Sequence, residues 1–226
     1  MKKALNEFQL DWFMDELAKK RQIFHNERDF QFEFAWLAKE LYDTDIRLEC
    51  YYGSNSKKEN QTKRNYIDIV LQNDSECILI ELKYKTLPLR EEHRTYENEQ
   101  FDLLNQGAQD LGSYFILSDL NRLEKLSVHE KRFNNKTILA YYSVLLTNDM
   151  KYKKGAKQGT LFADYFIKGP TIPKGSLIFH PKEGKKKEDT CAKDLDDLTF
   201  EYDYTVEWKT YGESHFGFMW VYVHHS

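Results

Sequence analysis

The stretch "RNYIDIVLQNDSECILIELKYKT", residues 64–86, decides how this chain folds, because its two apolar runs carry charges where a buried strand should carry none. Asp68 lies inside "YIDIVL", and Glu81 and Lys83 lie inside "CILIELKY". Each run has the length and the β-branched and aromatic content of a strand, and the tetrapeptide "QNDS" between them is rich in turn formers. Burying an ionised group costs several kcal/mol unless it is paired or bound to a metal. Three such charges therefore need partners.

An antiparallel hairpin supplies a geometry for them. A two-residue loop of Asn73 and Asp74 pairs Gln72 with Ser75, and a four-residue loop pairs Leu71 with Glu76. Either choice sets Asp68 opposite Leu79. Side chains alternate along a strand, so Leu79, Glu81, Lys83 and Asp68 share one face. Glu81 is then the diagonal neighbour of Asp68, at roughly 7–8 Å between backbones. A three-residue loop would turn Asp68 to the other face.

The residue types point to a reaction. Two carboxylates at that spacing suit one hard cation, magnesium or manganese, rather than zinc with its preference for His and Cys. A bound divalent ion activates water and stabilises charge on a phosphate. Lys83, two residues from Glu81 on the same face, would orient that water or neutralise the phosphate. The plain alternative is two half-buried strands joined by an Asp–Lys salt bridge.

Asp68, twelve intervening residues, then Glu81-Leu82-Lys83 resembles the pattern of the PD-(D/E)xK, or restriction-endonuclease-like, nuclease superfamily. The proline of that name is missing, since Tyr66 and Ile67 precede Asp68. The resemblance spans roughly residues 25–150. It implies an α/β (α+β) fold, with a mixed central sheet flanked by helices, and magnesium-dependent cleavage of DNA ahead of RNA, in prokaryotic defence or DNA repair. Manganese would substitute. Asp68, Glu81 and Lys83 would be catalytic, the first two as metal ligands. A further acid from the preceding helix would serve the metal, either Glu33, which interrupts an apolar stripe, or Glu27, which also suits the helix dipole. Gln106, Asp110 and Tyr114 form a polar stripe at i, i+4, i+8 on a later helix, similar to a supporting stripe in several branches; a solvated helix face is the bland reading. Asp119 and Arg122 read as a helix-start salt bridge. The rival class is a nucleic-acid-binding or assembly module that keeps the fold without the catalysis.

Lys57, Lys58, Lys63 and Arg64 before the hairpin and Lys85 after it offer phosphate contacts. Tyr51, Tyr52 and Tyr84 would stack on bases or pack in the core. Net charge is −4, so no global basic signature accompanies these residues. The 226 residues are 41% hydrophobic, 15% aromatic and 31% charged, enough for a core and against wholesale disorder. Three scattered cysteines without a CxxC pair suggest neither zinc nor disulfides. No apolar run approaches a membrane span, and no signal-like segment opens the chain, so a cytoplasmic protein with no membrane partner is expected. A homodimer stays open.

Along the chain, helices are expected at 5–20 and from an Asn26 N-cap through "ERDFQFEFAWLAKELY", with Asp29 imitating a capping box. "DIRLECYYG" reads as a strand and "SNSKKENQTKRN" as a loop. Helical spacing of Phe101, Leu104, Ala108, Leu111 and Phe115 predicts a helix over 98–117, followed by a shorter one over 119–130 and the strand "KTILAYYSVLLTN". A nuclease-like core is thus expected over 1–150. Residues 151–226 form a β-rich extension packed on it, ending in a hairpin around "GESH".

Overall fold

The computed structural model describes residues 1–58, 61–93, 98–129, 132–155, 159–167 and 169–223, with backbone alone at 54–58, 61–64, 91–93 and 129. A 3₁₀ turn at Leu5–Glu7 precedes helices α1 (Leu10–Lys20) and α2 (Glu27–Leu41). Strands β1 (Asp45–Lys58), β2 (Gln61–Gln72), β3 (Glu76–Lys85), β4 (Leu89–His93) and β5 (Glu99–Leu103) follow. Then come α3 (Gln109–His129), β6 (Arg132–Phe133), β7 (Lys136–Thr147) and the single turn α4 (Lys151–Lys154). The remainder holds β8 (Thr171–Ile172), β9 (Gly175–Leu177), β10 (Leu198–Phe200), β11 (Tyr204–Thr205), β12 (Glu207–Thr210) and β13 (Gly217–Val223).

Among the described residues the central sheet has seven strands in the order β1-β2-β3-β7-β13-β12, with β6 beside β7. β3 and β7 run parallel while the other pairs are antiparallel, so the sheet is mixed. β3 is buried almost along its length because both of its faces are covered. Ile78, Ile80, Leu82 and Tyr84 pack with Phe13 of α1 and with Phe30 and Phe34 of α2. Cys77 and Leu79 pack on the opposite side with Leu117, Leu120 and Leu123 of α3. The result is an α+β architecture with helices on both faces. Among the described residues no helix is long and apolar enough to cross a membrane.

Local chemistry explains the helix starts. Asn26 caps α2 by accepting the N–H groups of Arg28 and Asp29, both at 3.0 Å. Asp29 does not close a capping box: its Oδ2 takes the His25 N–H at 2.8 Å and Arg21 at 3.0 Å. The first expected helix breaks before Leu10, where Phe8 and Gln9 are extended.

The helix expected over 98–117 opens as a strand and becomes helical only from Gln109. Residues 99–103 pair with β4, and Gly107 and Ala108 adopt φ of +52° and +45°, a left-handed kink that no helix passes through. Beyond that kink α3 runs unbroken to His129, so the two expected helices are one. The described part of the polar segment expected as a loop is instead strand, since β1 and β2 stay paired, through two register shifts, as far as Lys58 and Gln61. Hydrogen bonding along a hairpin needs no apolar side chains, which hides such strands from pattern reading.

The hairpin expected around "GESH" exists as β12 and β13, and β13 pairs with β7, so it widens the central sheet. Its neighbours in the chain are tied to α3 by Glu124, whose buried carboxylate accepts from Glu201 N, Tyr202 N and Tyr204 Oη at 3.0, 3.1 and 2.7 Å.

α3 also packs closely on α4. A Cβ at Gly112 would run into the buried Tyr152 hydroxyl. Gly112→Ala is therefore expected to lower stability by about 1–3 kcal/mol despite its better helix propensity. Denaturant melts should show Tyr152→Phe recovering part of that loss in the same background.

Candidate active site

The β2–β3 turn is even, as the shared face requires, but it lies one residue further along than Asn73–Asp74. Asn73 N–H donates to Glu76 O at 3.0 Å, and Asn73 Oδ1 accepts from the N–H groups of Ser75 and Glu76 at 2.9 and 2.7 Å. Leu79 consequently faces Val70, Ile80 faces Ile69, and the ladder ends there. Continued one step past the ladder, this register sets Asp68 against Glu81, not diagonal to it as expected from the sequence.

β3 continues against β7 to Lys85 after β2 has left it. Two N–H groups of β3 that would meet β2 are taken by carboxylates. Leu82 N–H donates to Asp68 Oδ2 at 2.7 Å, and Tyr84 N–H donates to Glu27 Oε2 at 3.0 Å. From α2, Gln31 Nε2 holds the backbone at the fork, donating to Asp68 O at 2.7 Å and Glu49 Oε1 at 3.3 Å.

On the α3 face the charges pair across elements. Lys83 Nζ lies 2.9 Å from Asp119 Oδ2 and 3.9 Å from Glu27 Oε1, and donates to Leu82 O at 3.0 Å. Arg122 Nη2 binds Glu81 Oε1, its Nη1 lies 3.1 Å from Asp119 Oδ1, and Nη2 also reaches Tyr66 O at 3.4 Å. Glu81 is 2% exposed, and Lys83, Asp119 and Arg122 are largely buried.

Burial pushes the Glu81 carboxyl well above its ordinary range, and the negative charges of Asp119 and Asp68 push the same way, against Arg122 and Lys83. Burial likewise raises Asp68, opposed by Lys83, the Leu82 N–H and a hydrogen bond shared with the Glu81 carboxyl. For Lys83, burial acts to lower the pKa, but Asp119, Glu27 and Asp68 outweigh it and hold the ammonium above its usual value. These neighbours favour the charged form of Lys83. Burial opposes the charge on Arg122 too, and Glu81 and Asp119 reverse that.

Among the residues expected to act, Asp68, Glu81, Lys83 and Glu27 are brought together. Glu33 stands apart, 3.9 Å from Arg21. Helical arithmetic accounts for the difference: Glu27 and Gln31 are four residues apart on one face, whereas Glu33 is about 120° round from Glu27. The Gln106, Asp110 and Tyr114 stripe does not form. Gln106 precedes α3 and bonds Thr86 O, Asp110 stands in the first turn, and Tyr114 is buried, its hydroxyl donating to Asp196 O at 3.0 Å. Lys85 is half-buried on β3. The side chains of Lys57, Lys58, Lys63 and Arg64 lie outside the described residues.

Tyr84 is a core residue, its hydroxyl donating to Phe24 O and its ring stacked on Phe216. Tyr51 is exposed and edge-on to Tyr66. Tyr52 carries a buried hydroxyl near Arg122 that falls short of hydrogen-bonding geometry. Asp119 and Arg122 were expected only as a helix-start pair, yet they sit in mid-α3 against Lys83 and Glu81. Their i, i+3 spacing was visible in the sequence; their distance from the helix start was not, because the break expected between 117 and 119 does not occur and α3 runs through it from Gln109. Among the described residues, no group of three or more His, Cys, Asp or Glu side chains is arranged to hold a metal ion.

Comparisons of the chain with protein-family models, with curated proteins and with solved structures found no match.

A raised carboxyl makes folding pH-dependent in a defined sense. Between the ordinary carboxylate range and the raised value of Glu81, the unfolded chain releases its proton first, so stability falls as pH rises. Glu81→Gln lacks that proton. Thermal melts from about pH 4.5 upward should show Glu81→Gln gaining steadily on the wild type; parallel curves would mean that Glu81 is not raised.

Proposed function

We propose that this protein is a divalent-cation-dependent nuclease of the PD-(D/E)xK, restriction-endonuclease-like kind, hydrolysing phosphodiester bonds, with DNA the expected substrate ahead of RNA. The observation that carries this reading is the meeting of Asp68, Glu81 and Lys83 where β2 and β3 part, with Glu27 at the margin. The mixed sheet with helices on both faces agrees with it.

The side chains suit a hard cation, magnesium first and manganese as its substitute. The donors are carboxylate oxygens. Four carboxyl groups, Glu27, Asp68, Glu81 and Asp119, stand against the two cations Lys83 and Arg122, leaving two negative charges in excess if all ionise. Asp68 and Glu81 would hold the ion, with Glu27 as an outer partner. When bound, such an ion supplies an acidified water and offsets charge on the scissile phosphate.

The chain's own residues do the remaining work. The Leu82 N–H orients the Asp68 carboxylate. Lys83, held charged by its acidic neighbours, stabilises negative charge developing on the phosphate. Lys85 and the basic residues of the β1–β2 arm are the expected phosphate contacts.

Purified protein is expected to cut DNA with magnesium and to stop on chelation. Lys83→Ala should slow cutting about 100- to 1,000-fold, and Asp68→Asn should abolish it while circular dichroism stays native. Undiminished cutting by Asp68→Asn would sink the mechanism. A second reading, a binding module without catalysis, draws on Arg122, which already neutralises Glu81 with a cation of the protein's own. It predicts nucleic-acid binding that is indifferent to divalent ions and to Lys83→Ala.

A further inference from the structure

We propose that Arg122 is a built-in competitor for the cation site: its guanidinium occupies Glu81 in the cation-free protein, and a divalent ion must displace it to gain that carboxylate. The inference rests on the nuclease reading for the ion's presence, and on the geometry of Arg122 for the competition.

Glu81 offers two oxygens at the fork between β2 and β3, and Arg122 Nη2 holds Oε1. A guanidinium on Oε1 takes one of that oxygen's lone pairs and neutralises the charge that would draw an ion to the carboxylate. The same guanidinium has a second anchor in Asp119, 3.1 Å away and on its own helix, which it keeps if Glu81 is lost. Asp119 also binds Lys83, so the released charge stays within the cluster.

The clamp is also incompletely satisfied. Among the described residues Arg122 Nε is buried without a hydrogen-bond partner, and the buried hydroxyl of Tyr52 beside Arg122 falls short of hydrogen-bonding geometry. Leaving buried donors unpaired is unfavourable, and a rotation of the guanidinium away from Glu81 changes the surroundings of both. The contact with Tyr66 O is long, at 3.4 Å, and adds little restraint. The arrangement has the features of a displaceable counterion: one partner to surrender, one to retain, and a poorly saturated resting position.

Competition and support predict opposite signs. If Arg122 competes, removing it tightens cation binding; if Arg122 orients Glu81 for the ion, removing it weakens binding. Manganese titration followed by electron paramagnetic resonance of the free ion reads this directly, without turnover. Arg122→Met is expected to bind manganese about tenfold more tightly than the wild type or better. Arg122→Lys should fall between the two, and Glu81→Gln added to Arg122→Met should remove the gain.

Should Arg122→Met fold only with the ion present, its melting temperature must rise more with manganese than that of the wild type. Equal or weaker affinity, no binding in any variant, or no extra rise in melting temperature overturns the proposal. Tightened binding without DNA cleavage retains the competition and removes the nuclease reading. Cleavage that needs Asp68 and Lys83, with manganese affinity unmoved by Arg122→Met, does the reverse.

Discussion

The structure turns on a strand that is paired unequally on its two edges. β3 keeps β7 to Lys85 on one side and loses β2 after Ile80 on the other. An unpaired N–H inside a protein is costly, so the separation of the two strands survives only because the side chains of Asp68 and Glu27 take the orphaned groups of Leu82 and Tyr84. The two acids that cap the fork also open it. Glu81 and Lys83 lie beside it, and α3 covers them with Asp119 and Arg122.

The charges beside the fork are coupled too tightly to be assigned one role each. Asp119 serves Lys83 and Arg122 together, and Glu81 feels Asp68, Asp119, Arg122 and Lys83 at once. Breaking a buried pair from one side strands its partner, at a cost of about 3–5 kcal/mol. Neutral substitutions of similar shape therefore report on chemistry more cleanly than truncations do. Glu81 shows how the balance falls: burial and like charge outweigh two adjacent cations. A further positive charge would be welcome there.

Most of the site could be read in the sequence because charges inside apolar runs are rare and strand alternation is strict. Parity alone put Asp68 on the face of Glu81 and Lys83, and that survived a two-residue error in register. The register itself depended on the Asn73 side chain, which organises the turn one position further on than a count of turn formers suggests. Glu33 was attractive as a polar break in an apolar stripe, but helical angle favours Glu27 and Gln31. The helix over 98–117 was lost to two left-handed residues, one of them an alanine, and nothing in local propensity marks Ala108 for that conformation. Long-range pairing such as Arg122 with Glu81 leaves no local trace, since it depends on where a 21-residue helix crosses the sheet.

The place of β13 in the sheet has a consequence for how the molecule assembles. β7 is the partner that lets β3 outlast β2, and its other edge is covered by residues 217–223. During synthesis, α2, β2, β3, α3 and β7 all emerge before the strand that seals them. Until it arrives, β7 presents an open, strongly apolar edge at the centre of what will become the sheet, the kind of surface that recruits a strand from another chain. Residues distant in sequence from every acid of the fork thus control whether it is built within one molecule or lost to pairing between two.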